Sequence, residues 1–358
     1  MHDFLARWQV ERFAEAADAI IASVARRMRA GIAGLPDGTY SFEDVIDDDG
    51  VAAADIPVKV RIEIDGEEIS LDFDGCGAQV PGNINVTTTG LEASVLYAIK
   101  VLVDPDGPNN HGLTEPVHIS APEGTIVNAV FPAATAARAQ TCQRIIDVVL
   151  GALAHAAPDR VIAASNGSNT ACTFSGVGPD GERYVYMETI GGGAGARAYK
   201  DGTDGVQVHV TNTSNLPVEA LEKEYPLLIE RYELVPDTGG EGMWRGGLGL
   251  RRVYRPIGHA CHFSGQGERF VHRPWGLFGG LPGSCGSFTL VRGADAAEKL
   301  PAKPTSMLLP EDGALVVETP GAGGYGDPAR RDPALRERDR RLAKVGMGKC
   351  TTSQGSTA

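Results

Sequence analysis

The chain has 358 residues, of which 42% are hydrophobic and 22% charged, and these are the proportions of a globular protein with a sizeable core. Its formal net charge of −13 disfavours nucleic acid or another polyanion as a partner. The six cysteines form no CxxC pair, which excludes a zinc ribbon and indicates no disulfide framework. Because no apolar run reaches membrane-spanning length and the N-terminus has no signal-peptide core, the predicted location is the cytoplasm.

Three helices are predicted in the first half of the chain, from amphipathic or mostly apolar stretches, at residues 12–33, 91–103 and 140–157. Two alternating runs on either side of Asp65 and Gly66 predict a β-hairpin over residues 58–75. The stretch 35–50, between the first helix and the hairpin, is interpreted as a turn-rich connection.

In the second half the pattern is mostly that of short strands separated by glycine and proline. A hairpin is expected across residues 178–183, a short helix after Pro217 and a strand over 227–235. The predicted fold class is therefore mixed α/β (α+β), with a few long helices in the N-terminal part and a β-rich C-terminal part. One domain is expected over 1–328, followed by a charged irregular tail over 329–358.

Two glycine clusters, at residues 191–195 and 239–249, hold closely spaced charged and polar residues. Glycine lets a backbone approach another group closely or adopt positive φ, so this arrangement is typical of a site or an interface. The candidate catalytic residues are Glu188, Asp201 and His209, and the candidate substrate-binding residues are Gly192, Gly193, Arg197, Asn212 and Arg245. The alternative is that the glycines only let two loops pack together while the charges pair with one another.

These side chains suit different chemical roles. Glu188 is interpreted as an acid, a base or a hydrogen-bond acceptor, and His209 as a proton carrier or an orienting group. Arg197 and Arg245 are expected to bind a carboxylate or phosphoryl anion.

No complete nucleotide or metal motif accompanies the candidate residues. The only Gly-Lys pair, near the C-terminus, precedes a cysteine, and the GGGAG run departs from the dinucleotide-binding fingerprint. In a strand, His259 and Cys261 would share a face and His262 would point away, so no metal ligands are predicted. Cys76, between two glycines, is interpreted as a small buried thiol rather than a nucleophile.

Seven stretches of the sequence resemble, in the same order, the hydantoinase B/oxoprolinase family. One reads ETIGGGAGARAYKDGTDG and another HVTNTSNLPVEALEKEYP; the set comprises residues 72–85, 132–154, 188–205, 209–226, 237–249, 273–283 and 320–328. This family includes the B-type chains of ATP-dependent N-methylhydantoinases, the corresponding half of 5-oxoprolinases and the related α subunits of acetone-type carboxylases. The resemblance implies an enzyme that opens a cyclic amide, hydantoin or 5-oxoproline, as a hetero-oligomer with a hydantoinase A-type partner.

The resemblance also implies how the two chains share the reaction. ATP is expected to bind mainly to the partner, which phosphorylates the amide carbonyl oxygen, and the B-type chain then completes ring opening. The resemblance places a divalent metal in a segment before the first helix whose motifs are not found here, so the chain is expected to lack the family's N-terminal segment. The alternatives are an acetone-type carboxylase α subunit, or a non-catalytic structural subunit or truncated remnant.

Overall fold

A computed structural model describes residues 10–293 and 296–346, together with Asp3 and Arg7. The chain divides into two compact units, unit 1 drawn from Met1–Ile46 and Asp55–Val161 and unit 2 from Asp47–Ala54 and Ile162–Ala358. Both helices and strands are present in quantity, which confirms the predicted mixed α/β fold. The domain boundary at residue 328 stays a prediction, and residues 347–358 of the expected tail lie outside the described residues.

Unit 1 combines helices with a four-stranded sheet. Its helices are α1 (Val10–Ile32), α2 (Thr88–Val103) and α3 (Ala139–Ala152), and its strands are β1 (Gly38–Asp48), β2 (Ala54–Asp65), β3 (Glu68–Asp72) and β4 (Val117–Ser120), in the order β1-β2-β3-β4. The predicted hairpin is confirmed as β2 and β3, in which Val58, Val60, Ile62 and Ile64 alternate with polar residues and are buried. β3 pairs in parallel with β4.

Two sequence-based boundaries in unit 1 are wrong. Residues 35–50 do not form only turns, because they contain strand β1, in which the partly buried Phe42 lies between exposed residues and Ile46 is buried. Acidic residues and flanking turn residues concealed this pattern. The helix expected to reach residue 157 ends at Ala152, since the Ala154 and Ala156 amides donate to carbonyls only three residues earlier, in tighter turns.

The described part of unit 2 contains two sheets and two α-helices. Its strands are β5 (Thr170–Val177), β6 (Arg183–Ile190), β7 (Leu227–Leu234), β8 (Leu250–Pro256), β9 (Cys261–Gln266), β10 (Ser287–Arg292), β11 (Ala296–Leu300), β12 (Met307–Leu309) and β13 (Gly313–Glu318), and its helices are α4 (Val218–Glu224) and α5 (Pro333–Arg341). One sheet has the order β12-β9-β5-β6 and the other β11-β10-β13-β8-β7. The predicted hairpin at 178–183, the short helix after Pro217 and the strand at 227–235 are confirmed.

Side chains from both sheets of unit 2 form one hydrophobic core. The rings of Phe174 (β5) and Tyr254 (β8) have centroids 4.6 Å apart, and those of Phe263 (β9) and Phe288 (β10) are 5.3 Å apart. β6 and β7 are edge strands of their respective sheets. Between the sheets, side chains of β6 and β8 are in contact.

Three glycine-rich segments of unit 2, at residues 191–195, 239–249 and 320–326, contact one another through their backbones. The Gly193 amide donates to the Pro320 carbonyl at 3.1 Å, and the Ala322 amide donates to the Gly247 carbonyl at 3.0 Å. A Cβ added at Gly193 would lie 2.2 Å from the Gly247 carbonyl oxygen and 2.8 Å from the Ala322 nitrogen. Only glycine fits at this position, because backbone rather than flexible side chains surrounds it.

Candidate functional site

Glu188 lies between the two sheets of unit 2, with its side chain 5% exposed. It is on the inward face of β6, where the burial pattern alternates. Its Oε2 accepts a hydrogen bond from Asn215 Nδ2 at 2.6 Å, and its Oε1 accepts one from the Tyr254 hydroxyl. The Arg252 Nε lies 3.3 Å from the same Oε1. Since Arg252 and Tyr254 both come from β8, the carboxylate links the two sheets.

Arg252 is fully buried, and its guanidinium stacks near two tyrosine rings. Its Cζ lies 4.4 Å from the centroid of the Tyr232 ring and 5.5 Å from that of the Tyr254 ring. Within the described part of the chain, neither Nη1 nor Nη2 has a hydrogen-bond partner. A buried charged donor normally finds an acceptor, so these two nitrogens stand out.

Burial controls the protonation of two groups beside Glu188. Burial raises the pKa of the Tyr254 hydroxyl well above its ordinary value, and the negative charges of its neighbours add to this effect. Cys172, which is opposite Glu188 in the β5–β6 register, also has a raised pKa, from burial first and the Glu188 charge second. Both groups are therefore neutral near pH 7, and Tyr254 acts as a hydrogen-bond donor.

Two further residues, Asn215 and Tyr232, lie beside the Glu188–Arg252 ion pair. Tyr232 on β7 is 44% exposed, and its hydroxyl donates to Asn215 Oδ1 at 3.2 Å. The half-buried Asn215 also donates to the Thr189 carbonyl at 2.9 Å. We call Glu188, Asn215, Tyr232, Arg252 and Tyr254 the Glu188 cluster. Asn215 contacts the carboxylate, Tyr232 contacts the guanidinium, and both residues are themselves partly exposed.

Asp201 and Arg245 belong to a second group of charges in unit 2. We call Asp201, Asp204, Arg245, Arg331, Asp339 and Lys344 the Asp201 network. Asp201 accepts from Arg331 Nη1 at 2.7 Å and Nη2 at 3.0 Å, and from the Arg245 backbone amide at 2.8 Å. The Arg245 Nη1 donates to Asp204 at 3.1 Å. The structure thus joins one candidate catalytic residue and one candidate substrate-binding residue through ion pairs within the chain.

The charges of this network keep Asp201 and Asp204 ionised. Burial alone would raise the pKa of Asp201 and Asp204, but the nearby cations outweigh it and lower both values. For Asp201 the main opposing contribution is the hydrogen bond from Arg331, and for Asp204 it is the charge of Arg245. Lys344 adds a hydrogen bond to Asp204 at 2.6 Å.

The remaining candidate residues belong to neither the Glu188 cluster nor the Asp201 network. Both Gly192 and Gly193 are buried, and their amides donate to the backbone carbonyls of residues 206 and 320. Arg197 is half-buried, and its backbone forms bridges with residues 162 and 200. His209 is half-buried with a positive φ of 52°, and Asn212 is exposed. The roles assigned to these residues, and to Glu188, Asp201 and Arg245, stay predictions.

The sequence did not identify the partners of the candidate residues. Arg252 and Tyr254 lie two residues apart in an alternating strand, which predicts a shared face, but nothing local indicates that this face meets Glu188. Arg331 and Asp339 fall in the expected irregular tail, where charged residues are usually solvated. Only the tertiary fold brings these side chains to the loops at 201–204 and 239–249.

No metal-binding cluster of three or more His, Cys, Asp or Glu side chains occurs among the described residues. In the run around His259, the Nε2 of that histidine lies 2.7 Å from the Tyr184 hydroxyl, Cys261 is buried, and His262 is exposed. The thiol of Cys76 exchanges hydrogen bonds with the Lys59 backbone, and burial raises its pKa to about 11. At neutral pH this thiol is protonated and a poor nucleophile.

Comparison with known proteins places the fold in a defined group. The chain is 41% identical over 294 residues to an uncharacterized protein, MJ0963, of Methanocaldococcus jannaschii, covering 82% of this chain and 51% of that protein. It is 34% identical over 322 residues to the B-type chain of a putative D-/L-hydantoinase of Pseudomonas sp. (strain NS671), covering 86% and 54%. The crystal structure of an ATP-dependent caprolactamase from Pseudomonas jessenii matches with a TM-score of 0.86 and 26% identity, covering 96% of this chain and 61% of that one.

The chain spans about half the length of the curated relatives that it matches. No helix in the described residues is long and apolar enough to cross a membrane. Residues 1–328 match the family described as Hydantoinase B/oxoprolinase, over most of the chain. The protein therefore belongs to the hydantoinase B/oxoprolinase family.

Proposed function

We propose that this chain is the B-type part of an ATP-dependent cyclic-amide hydrolase that acts with a hydantoinase A-type partner. The observation that carries the proposal is the similarity, over nearly the whole chain, to a structure described as an ATP-dependent caprolactamase. A relative named as the B-type chain of a hydantoinase supports the assignment of the B-type role. ATP binds mainly to the partner, and the complex works in the cytoplasm.

ATP makes this reaction feasible because an unstrained amide carbonyl is a poor electrophile. Transfer of the terminal phosphoryl group to the carbonyl oxygen gives an imidate-like phosphate and ADP. Water then adds to the carbonyl carbon, the C–N bond breaks as the ring nitrogen takes a proton, and the acyl phosphate left behind is hydrolysed. The net products are ADP, inorganic phosphate and the ring-opened acid, which is an amino acid from a lactam and an N-carbamoyl amino acid from hydantoin, with one water used for the amide and one for ATP.

The Glu188 cluster contains groups that suit the water-addition step. Glu188 would accept a proton from the attacking water and return it to the ring nitrogen. The two Nη atoms of Arg252, which lack partners within the described chain, would bind phosphoryl oxygens. Substrate would reach these groups when Asn215 and Tyr232 move aside. Asp201 suits this role less well, because two arginines pair with its carboxylate, whereas Glu188 has one arginine beside it.

The remaining predicted residues take supporting roles in the proposal. Arg197 would bind an anionic end of the substrate, and His209 and Asn212 would orient groups from their loop. Gly192 and Gly193 would let the loop approach the substrate closely. A divalent metal is implied only by the family resemblance, and the described residues hold no group of three or more His, Cys, Asp or Glu side chains that could bind one by themselves. No step is therefore assigned to a metal.

The proposal is tested with the chain co-expressed and co-purified with its A-type partner. Ring opening of hydantoin, 5-oxoproline and caprolactam is measured together with ADP release, for the unchanged chain and for Glu188→Gln and Glu230→Gln. Glu230 is the matched control, because its half-exposed carboxylate pairs with Arg255 at the surface. We expect Glu188→Gln to lose turnover and Glu230→Gln to keep it. Full activity in a folded Glu188→Gln complex would remove Glu188 from the mechanism.

A further inference from the structure

A cavity of about 460 Å³ in unit 2 is lined by residues that the ring-opening proposal does not use. Its walls come from the loop 237–245, the turn 328–331, helix α5 and residues 345–346. A volume of this size is within the usual range for small-molecule sites. The cavity shares no lining residue with the Glu188 cluster.

Two buried charged atoms at this cavity lack hydrogen-bond partners. Asp339 and Arg245, with side chains 3% and 4% exposed, both line it. Asp339 Oδ2 accepts from Arg331 at 2.6 Å, but its Oδ1 has no partner among the residues that the structure describes. The Arg245 Nε is equally without one, at 3.6 Å from Asp339 Oδ2. The Oδ1 has almost no accessible surface, and an unsatisfied buried carboxylate oxygen is costly, so a ligand N–H that reached it through a small shift of the cavity wall would be favoured.

Two exposed arginines border the same cavity. Arg336 and Arg340 precede and follow Asp339 on α5, at spacings of three residues and one, and all three line the cavity. Residues three and four apart lie on one side of a helix, with Cβ atoms about 5–6 Å apart. The Arg336 Nη2 donates to the Pro328 carbonyl at 2.6 Å, which restrains the guanidinium. An acceptor for an N–H group and two donors for an anion thus lie within one turn of helix.

The other acidic residues of the cavity lining do not cancel this arrangement. Both oxygens of Asp237 accept from the Gly346 amide, at 3.0 and 3.1 Å. Glu241 lines the cavity as an exposed residue. Four arginines face three acidic residues around the cavity, so an anionic group is tolerated beside a cationic or N–H group.

We propose that this cavity binds a small zwitterion of the amino-acid type. The carboxylate contacts Arg336 and Arg340, and the ammonium or amide N–H donates to Asp339 Oδ1. Binding here is independent of ring opening, because it needs neither ATP nor the partner chain. Failure of the ring-opening proposal and failure of this one are therefore distinguishable.

The test is calorimetric titration of the full chain with ω-amino acids from glycine to 6-aminohexanoate, which differ only in the spacing of their two charges. Hexanoate and hexylamine, which each carry only one of the two charges, are the control ligands matched to 6-aminohexanoate. We expect one member of the series to bind at least about tenfold more tightly than either single-charge compound. Equal binding of hexanoate or hexylamine, or no saturable binding by any amino acid, would overturn the proposal.

Variants locate the binding to this cavity. Arg340→Gln changes an exposed side chain and should weaken binding about tenfold, whereas Arg341→Gln, on the same helix but outside the cavity lining, should leave it unchanged. Asp339→Asn should remove the preference for the zwitterion over hexanoate. If Asp339→Asn does not fold, the comparison of Arg340→Gln with Arg341→Gln still tests the proposal. Equal affinities of Arg340→Gln and Arg341→Gln would show that any binding occurs elsewhere.

Discussion

Replacement of Glu188 by glutamine should destabilise unit 2 strongly, because it leaves the Arg252 guanidinium buried without a carboxylate. Arg252 is fully buried and lies 3.3 Å from Glu188. Removal of one partner of a buried ion pair costs about 3–5 kcal/mol. Glutamine can still accept from Tyr254, but its amide nitrogen is a poor neighbour for Asn215 Nδ2, which now donates to the carboxylate.

The assay is urea unfolding followed by tryptophan fluorescence in a Trp8→Phe background, in which both remaining tryptophans, Trp244 and Trp275, belong to unit 2. Glu230→Gln is the control, since the side chains of its ion pair with Arg255 are 34% and 36% exposed and such pairs contribute only about 0–1 kcal/mol. A domain near the middle of the typical range of about 5–15 kcal/mol remains folded after a loss of about 3–5 kcal/mol. Equal losses for the two variants would refute the ion-pair reasoning.

The double variant Glu188→Gln with Arg252→Met separates stability from catalysis. It removes both buried charges, and replacement of a buried pair by uncharged residues of similar size is often neutral or better. We therefore expect it to recover most of the stability lost in Glu188→Gln. If the Glu188–Arg252 pair also acts in the reaction, with Glu188 as acid or base and Arg252 binding phosphoryl oxygens, the double variant is stable and remains inactive in the complex.

Two further changes test the packing and the charges of unit 2. Gly193→Ala should lower the free energy of unfolding by about 3 kcal/mol or prevent folding, because the new Cβ would lie 2.2 Å from the Gly247 carbonyl oxygen. The control is Gly34→Ala, whose Cβ would lie 3.3 Å from the Gly31 carbonyl oxygen. It should lower the free energy of unfolding by less than about 1 kcal/mol, as measured by calorimetry. The lowered pKa of Asp201 means that its stabilising contribution is present above the unfolded pKa of about 3.9 and is lost as pH falls through the folded pKa. Asp201→Asn should therefore lose less stability than the unchanged chain when urea midpoints at pH 7 and pH 3.5 are compared, and an equal loss would contradict the shift.

The sequence predicted those parts of the fold whose signal is local. The β2–β3 hairpin follows from alternation around Gly66, and α4 follows from Pro217 at its start. Strand β1 was missed because acidic side chains interrupt its alternation, although Phe42 and Ile46 keep the period. Local patterns describe one element at a time, and they fail where polar residues occupy a buried face.

The candidate site was predicted in part, for the same reason. Glycine clustering indicated loops that pack closely, and Gly193 does contact Gly247, but the third segment at 320–326 was not linked to them. Glu188 was chosen from its position before a glycine run, whereas its contacts with Arg252 and Tyr254 depend on how the two sheets face each other. No spacing in the sequence contains that information.

The most direct test of the central claim is the ratio of ADP released to ring opened by the co-purified complex, measured with and without bicarbonate. A cyclic-amide hydrolase should release one ADP for each ring opened on at least one of hydantoin, 5-oxoproline or caprolactam, and bicarbonate should change neither amount. ATP consumption that requires bicarbonate and yields a carboxylated product would instead indicate a carboxylase. A stable complex that opens no ring with ATP would make the chain a structural component.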